Sequence, residues 1–256
     1  MRGPPRAAAN PAGAHFLRDR TLITRLVAAS GAGDGDLVFD LGAGYGAITA
    51  ALAAAGPRVV AVERDPRLAH RLDRRFAGDP RVRVVAGDVL RVPLPRRDFL
   101  VVASIPFGVT TELLRRLLGD PAVPLAGAEL IIGSGAARWL ASARPRDRET
   151  AWWAARYRLS LARTIPAACF APPPGTDAAH LSVRPRPLAR SRDGQRALRA
   201  LLRDAFRGGG RRPVAVNRRT LVRAGIAPGR PAAELTAGEW HRLAQMLAAR
   251  SGPHEA

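Results

Sequence analysis

The 256 residues contain no lysine, a single cysteine at Cys169, and only two tyrosines. One cysteine excludes an internal disulfide and any cysteine-built metal site. No run of about 18 apolar residues occurs, which excludes an apolar membrane helix, and the first eleven residues lack the apolar segment of a signal peptide. A cytoplasmic, metal-free protein with no membrane partner is expected. Acids are scarce as well: 21 stand against 41 basic residues, all of them arginine, for a net charge of +20. A composition bias toward Arg, Ala and Gly accounts for arginine replacing lysine but not for the shortage of acids. The surplus points to a polyanionic partner, and the arginine fork both grips phosphates and stacks on bases. Hydrophobic residues make up 47% of the chain, enough for one core and a small appendage.

The chain is organised around Val38-Phe-Asp-Leu-Gly-Ala-Gly-Tyr-Gly46. An apolar run ends at Asp40, glycines recur at Gly42, Gly44 and Gly46, and a small-residue helical pattern follows over 47–55. This reads as strand, tight turn and helix, in which a ligand lies against main-chain N–H groups at the helix start. The spacing is G-x-G-x-G, whereas dinucleotide sites show G-x-G-x-x-G, so an adenosyl cofactor fits better than a pyrophosphate one. A second run, 58–63, ends in Glu63 about 20 residues on, where doubly wound folds place the carboxylate that binds ribose. A third ends in Asp88, suited to an adenine amino group. A fourth, from Phe99, ends in Ser104-Ile105-Pro106-Phe107. Four strands delivering polar chemistry to one sheet edge predict an α/β, Rossmann-like fold with its ligand at that edge.

These residues resemble the S-adenosylmethionine-dependent ribosomal RNA adenine N6-methyltransferases, most closely the macrolide-resistance type acting on 23S rRNA. The likeness runs through Ala14-His15-Phe16-Leu17, the glycine turn, Glu63, Asp88, Ser104 to Phe107, and Phe170-Ala-Pro-Pro-Pro-Gly-Thr-Asp177. It implies S-adenosylmethionine as cofactor, held by His15, Leu17, Asp40, the three glycines, Glu63, Arg64, Asp88, Val89 and Ser104. It also implies 23S rRNA as partner to a monomeric enzyme. Two departures stand out: the family commonly has Gln or Asn at the position of Ala14 and Asn at that of Ser104. The related 16S rRNA maturation enzymes usually carry Asn-Leu-Pro-Tyr where this chain has Ser-Ile-Pro-Phe. That enzyme class, and a non-catalytic nucleic-acid-binding factor of the same fold, are the alternatives.

The chemistry asked of Ser104 to Phe107 follows from the substrate. The lone pair of an exocyclic adenine nitrogen is delocalised into the ring, so acceptors aimed at its hydrogens are needed to favour the nucleophilic form. The Ser104 hydroxyl and the Ile105 carbonyl are the candidates. Pro106 stiffens the turn, and Phe107 offers a face to an adenine taken out of its stack. The resemblance implies that Phe170 covers the opposite face; a hydrophobic plug beneath the proline loop is the alternative. His15, beside Phe16, reads more simply as a packing or backbone-bonding residue.

Four stretches are expected: a basic arm over 1–12, a catalytic domain over 13–187, a helical RNA-binding domain over 188–250 and a tail over 251–256. Residues 10–30 read as an approach loop and a helix, and Leu68 and Leu72 as one buried helical stripe. Thr110 or Thr111 is expected to cap a helix. Residues 133–150 lose the apolar pattern, and the pair Trp152 and Trp153 reads as core. Strands are expected over 157–161 and 180–184. In the last domain Thr236-Ala-Gly-Glu239 is a capping box. Arg211, Arg212, Arg218, Arg219 and Arg223 gather round a glycine-rich turn and, with Arg138, are the candidate RNA contacts.

Overall fold

The computed structural model describes residues 15–250; the predicted arm and tail, and Ala14, lie outside the described residues. The elements run β1 (Phe16–Leu17), α1 (Arg20–Ser30), β2 (Leu37–Leu41), α2 (Ala47–Ala55), β3 (Arg58–Glu63), α3 (Pro66–Phe76), β4 (Val82–Ala86), β5 (Phe99–Ser104), α4 (Thr110–Leu114) and β6 (Leu125–Gly133). They continue through α5 (Ser134–Leu140), α6 (Arg148–Arg156), β7 (Tyr157–Ile165), β8 (Phe170–Ala171), β9 (Ala178–Pro185), α7 (Arg192–Ala205), α8 (Arg218–Arg223) and α9 (Ala237–Arg250). Seven strands form one sheet in the order β4-β3-β2-β5-β6-β9-β7, with β9 antiparallel to both neighbours. The expected α/β sheet is present, and β2, β3, β4 and β5 all end at one edge because their pairings are parallel.

Runs such as Val-Val-Ala-Val in β3 are buried on both faces, as parallel strands covered by helices require. One large apolar cluster joins Val101, Leu130 and Trp153 to Leu198, Leu202, Trp240 and Leu243. The helices after residue 188 therefore share the core of the sheet. A second cluster lies on the other face, where Ile23, Leu26 and Val27 of α1 meet Val38, Val102 and Ile131. Glu129, buried within the sheet, accepts hydrogen bonds from Ser182 and Arg184 and pairs with His180; Arg184 also donates to Ala29 O and ties α1 to the sheet.

Several local expectations change. Residues 15–17 contain β1, which pairs Phe16 with Ala171 and Leu17 with Phe170. In α3 the buried pair is Ala69 and Leu72, with Leu68 half-buried, because residues 69 and 72 face the sheet together at helical spacing. Neither Thr110 nor Thr111 caps α4; a single tight turn over Phe107–Val109 leads straight into it, and Thr110 is buried. Residues 134–140 form α5 despite their small and polar composition, since Ala137 and Leu140 find the core. Strand β7 runs on to Ile165, sustained by its ladder with β9. The capping box is present: Glu239 N–H donates to Thr236 Oγ1 at 3.3 Å and Thr236 N–H to Glu239 Oε2 at 2.7 Å. Trp152, Trp153 and Tyr157 are core.

Candidate active site

The turn after β2 is left-handed at Gly42, Gly44 and Gly46, with φ of 87°, 55° and 77°. Two of these glycines are also required by packing. A Cβ on Gly44 would lie 2.8 Å from the Phe16 ring, and one on Gly46 would lie 2.5 Å from Leu72. The turn thus fits beneath the aromatic ring of β1 and against α3. Glu63 at the end of β3 fastens it: Oε2 accepts from Gly44 N–H at 2.7 Å, and Oε1 accepts from Asp65 N–H at 2.8 Å.

Beside the turn a cavity of about 350 Å³ is lined by His15, Phe16, Leu17, Gly42, Tyr45 and Ser104, with Ala171 behind them. Its size and mixed lining suit a small organic ligand. Ser104 is half-exposed here, and its hydroxyl bonds to no other described residue. Ile105 is buried, Pro106 half-buried, and the half-buried Phe107 ring lies over Gly133, where a Cβ would come within 3.5 Å of it. Asp88, at the end of the next strand, takes Leu90 N–H on Oδ1 at 2.8 Å, which curls the 88–92 loop. Arg116 donates to the carbonyls of Val89 and Val92 and holds that loop from below.

The family model for ribosomal RNA adenine dimethylase matches residues 8–249. This chain belongs to the ribosomal RNA adenine dimethylase family. It is an S-adenosylmethionine-dependent rRNA adenine N6-methyltransferase. Among its relatives, ribosomal RNA small subunit methyltransferase A of Gloeobacter violaceus is 37% identical over 76% of this chain and 73% of its own. Mycinamicin-resistance protein MyrB of Micromonospora griseorubida is 35% identical over 94% of this chain and 80% of its own. The crystal structure of 23S rRNA methyltransferase ErmE superposes with a TM-score of 0.76 at 26% identity, covering 91% of this chain and 99% of that one.

In this adenine dimethylase the residues chosen from sequence divide into three groups. His15, Leu17, Gly42 and Ser104 line the cavity together, and His15 Nδ1 also meets Pro172 O at 2.8 Å, the backbone contact expected of it. Glu63, Asp88 and the buried Val89 stand at adjacent strand ends on the same edge, while Arg64 is exposed. Asp40 and Phe170 depart from expectation. Asp40 is 1% exposed and outside the cavity wall; its Oδ2 accepts from Thr49 Oγ1 at 2.6 Å, so the carboxyl braces α2 against β2. Phe170 is 4% exposed among Leu17, Ile131 and Ile165, because pairing with β1 turns its ring into the core. It is a plug and presents no free face to a base. The reading missed Phe16 and Tyr45, which line the cavity with ring centroids 4.6 Å apart; a tyrosine between two glycines of the turn was the available signal.

Arg211, Arg212, Arg218, Arg219 and Arg223 are all exposed around the loop that enters α8, and none forms an ion pair among the described residues. Arg138 is exposed on α5, directly after the strand that neighbours Ser104, and so stands apart from them.

Asp40 carries a pH signature. Burial raises its carboxyl from 3.8 to about 7, against the opposing Thr49 hydrogen bonds, and its Oδ1 is buried without a partner. The folded chain therefore holds this proton more tightly than the unfolded chain. Stability contributed by the neutral form is full below pH 4 and is lost as pH rises through 7, by up to about 4 kcal/mol. Asp40→Asn, which cannot ionise, is expected to lose less stability than the parent between pH 5 and pH 8 in urea titrations. Parallel curves for the two proteins would show that Asp40 ionises normally.

Proposed function

We propose that the enzyme methylates N6 of an adenine in the peptidyl transferase loop of 23S rRNA and confers resistance to macrolides, lincosamides and streptogramin B. Bound S-adenosylmethionine supplies an activated sulfonium methyl group. Glu63 accepts the ribose hydroxyls with the carboxylate lone pairs left over from Gly44 and Asp65, and Asp88 reads the cofactor's adenine. His15, Leu17 and the glycine turn close the remaining wall. Ser104 Oγ and the Ile105 carbonyl accept from the target amine and keep its lone pair directed at the methyl carbon, so alignment carries most of the rate. Phe107 stacks on the extruded base from one side. Arg138 and the five arginines around α8 bind the RNA backbone.

The observation that carries the 23S assignment is the sequence Ile105-Pro106-Phe107, directly after the cavity-lining Ser104, where 16S maturation enzymes usually have Leu-Pro-Tyr. The match to MyrB over 94% of this chain supports it. The similarity to several small subunit methyltransferases, more of the named relatives than are of the resistance type, keeps 16S rRNA as the second reading. The test is transfer of labelled methyl from S-adenosylmethionine to protein-free 23S and 16S rRNA in parallel, with the modified base located by reverse-transcriptase stops. Label at one adenine of the 23S peptidyl transferase loop is expected. Label confined to 16S rRNA would reassign the enzyme to small-subunit maturation.

A further inference from the structure

One exposed helix face carries charge that the active site does not use. Arg192, Arg196, Arg199, Arg203 and Arg207 recur every three to four residues along α7 and just past its end, so they share one face, while Leu198, Leu201, Leu202 and Ala205 face the core. All five arginines are exposed. Two acids stand near this ridge on its own helix: Asp193 pairs with Arg196 at 3.5 Å, and Asp204 lies 3.1 Å from Arg207 and 4.0 Å from Arg203. Arg192 and Arg199 have no acidic partner among the described residues. Like charges at this spacing repel, and a cation in the first turn opposes the helix dipole. A solvated face needs no such repulsion, whereas a polyanion relieves it.

The ridge adjoins a second cavity, of about 410 Å³, lined by Arg148, Trp152, Arg199, Leu202 and Arg203. Glu149 also lines it, with its carboxylate engaged by Arg115 at 2.9 Å. The Arg199 guanidinium is fixed over the Trp152 ring, 5.0 Å from its centroid, and Trp152 Nε1 donates to Gly119 O. Gly119 ends the helical segment that leads from the catalytic strand end back toward Leu125, the first residue of β6, which pairs with Phe99 at the start of β5. The patch thus lies toward the sheet edge opposite Ser104, a strand length of roughly 17 Å away.

We propose that the α7 ridge and this cavity form a second rRNA contact, which grips backbone phosphates of a segment outside the target loop. The inference rests on the family's action on rRNA and is independent of which subunit RNA is modified. Its reach gives it a signature, since only an RNA long enough to touch both edges of the sheet senses it.

The test uses the full chain and the triple variant Arg192→Gln/Arg196→Gln/Arg203→Gln, which leaves Arg199 on Trp152. Methyl transfer is compared on the full-length rRNA that accepts label and on a short hairpin cut from it around the modified adenine. Expected are a KM on the long RNA raised about tenfold, unchanged kcat and KM on the hairpin, and a salt slope of log K for the long RNA reduced by about 2 to 3. The matching Arg→Lys triple is expected to restore the slope, because the charge is kept. An unchanged KM and slope on the long RNA, or an equal loss on the hairpin, would overturn the proposal.

Discussion

Glu63→Ala is expected to weaken binding of S-adenosylmethionine by a factor of 100 or more in isothermal titration, with affinity for rRNA little changed. The carboxylate holds the turn and the start of α3 at once, through Gly44 N–H and Asp65 N–H. It is also 8% exposed, so a shortened side chain leaves both donors facing a space with little water. In the proposed role the carboxylate accepts two ribose hydroxyls, and hydrogen bonds to a charged group contribute about 1.5–3 kcal/mol each, so losing two corresponds to 100-fold or more. The loosened turn adds to this. Glu63→Gln separates the two effects, because its amide nitrogen would meet one backbone N–H donor to donor; an intermediate loss is expected. An affinity within threefold of the parent for Glu63→Ala would remove this residue from the cofactor site.

The largest expected effect on stability comes from Trp153→Ala. Trp153 is fully buried in α6, where one cluster joins the sheet to α7 and α9. Deleting an indole from such a site costs about 3–5 kcal/mol, which for a chain of this size lowers Tm by roughly 10 °C. The Nε1 of Trp153 is buried without a partner, so Trp153→Phe, which removes that donor along with less volume, is expected to cost much less. The check is thermal unfolding followed by near-ultraviolet circular dichroism. If the Ala and Phe variants melted together near the parent, the shared core would not be what fastens the C-terminal helices to the sheet.

Much of this molecule is legible along the chain. The parallel strands β2 to β5 announce themselves as short apolar runs ending in Asp40, Glu63, the approach to Asp88, and Ser104; β2, β3 and β5 need continuous apolar sequence because helices cover both their faces, while the edge strand β4 stays partly exposed and carries Arg83. The glycine turn is equally local: only glycine takes three left-handed positions in five residues without strain. The excess of arginine over acid points to a polyanionic partner from composition alone, and the capping box of α9 is written in four residues.

What sequence could not settle depends on partners distant in the chain. Asp40 and Glu63 are both acids ending apolar strands, but Thr49 draws one into the core while Gly44 and Asp65 hold the other against the glycine turn. Phe170 and Phe107 are both aromatics near prolines; pairing across more than 150 residues with Leu17 buries the first, while the second stays half-buried with its ring over Gly133. Composition and local spacing determined the strands, the glycine turn and the charge. Burial, which decides whether a given side chain meets ligand or core, was decided only when strands far apart in sequence paired, because that is what sets the direction of each side chain.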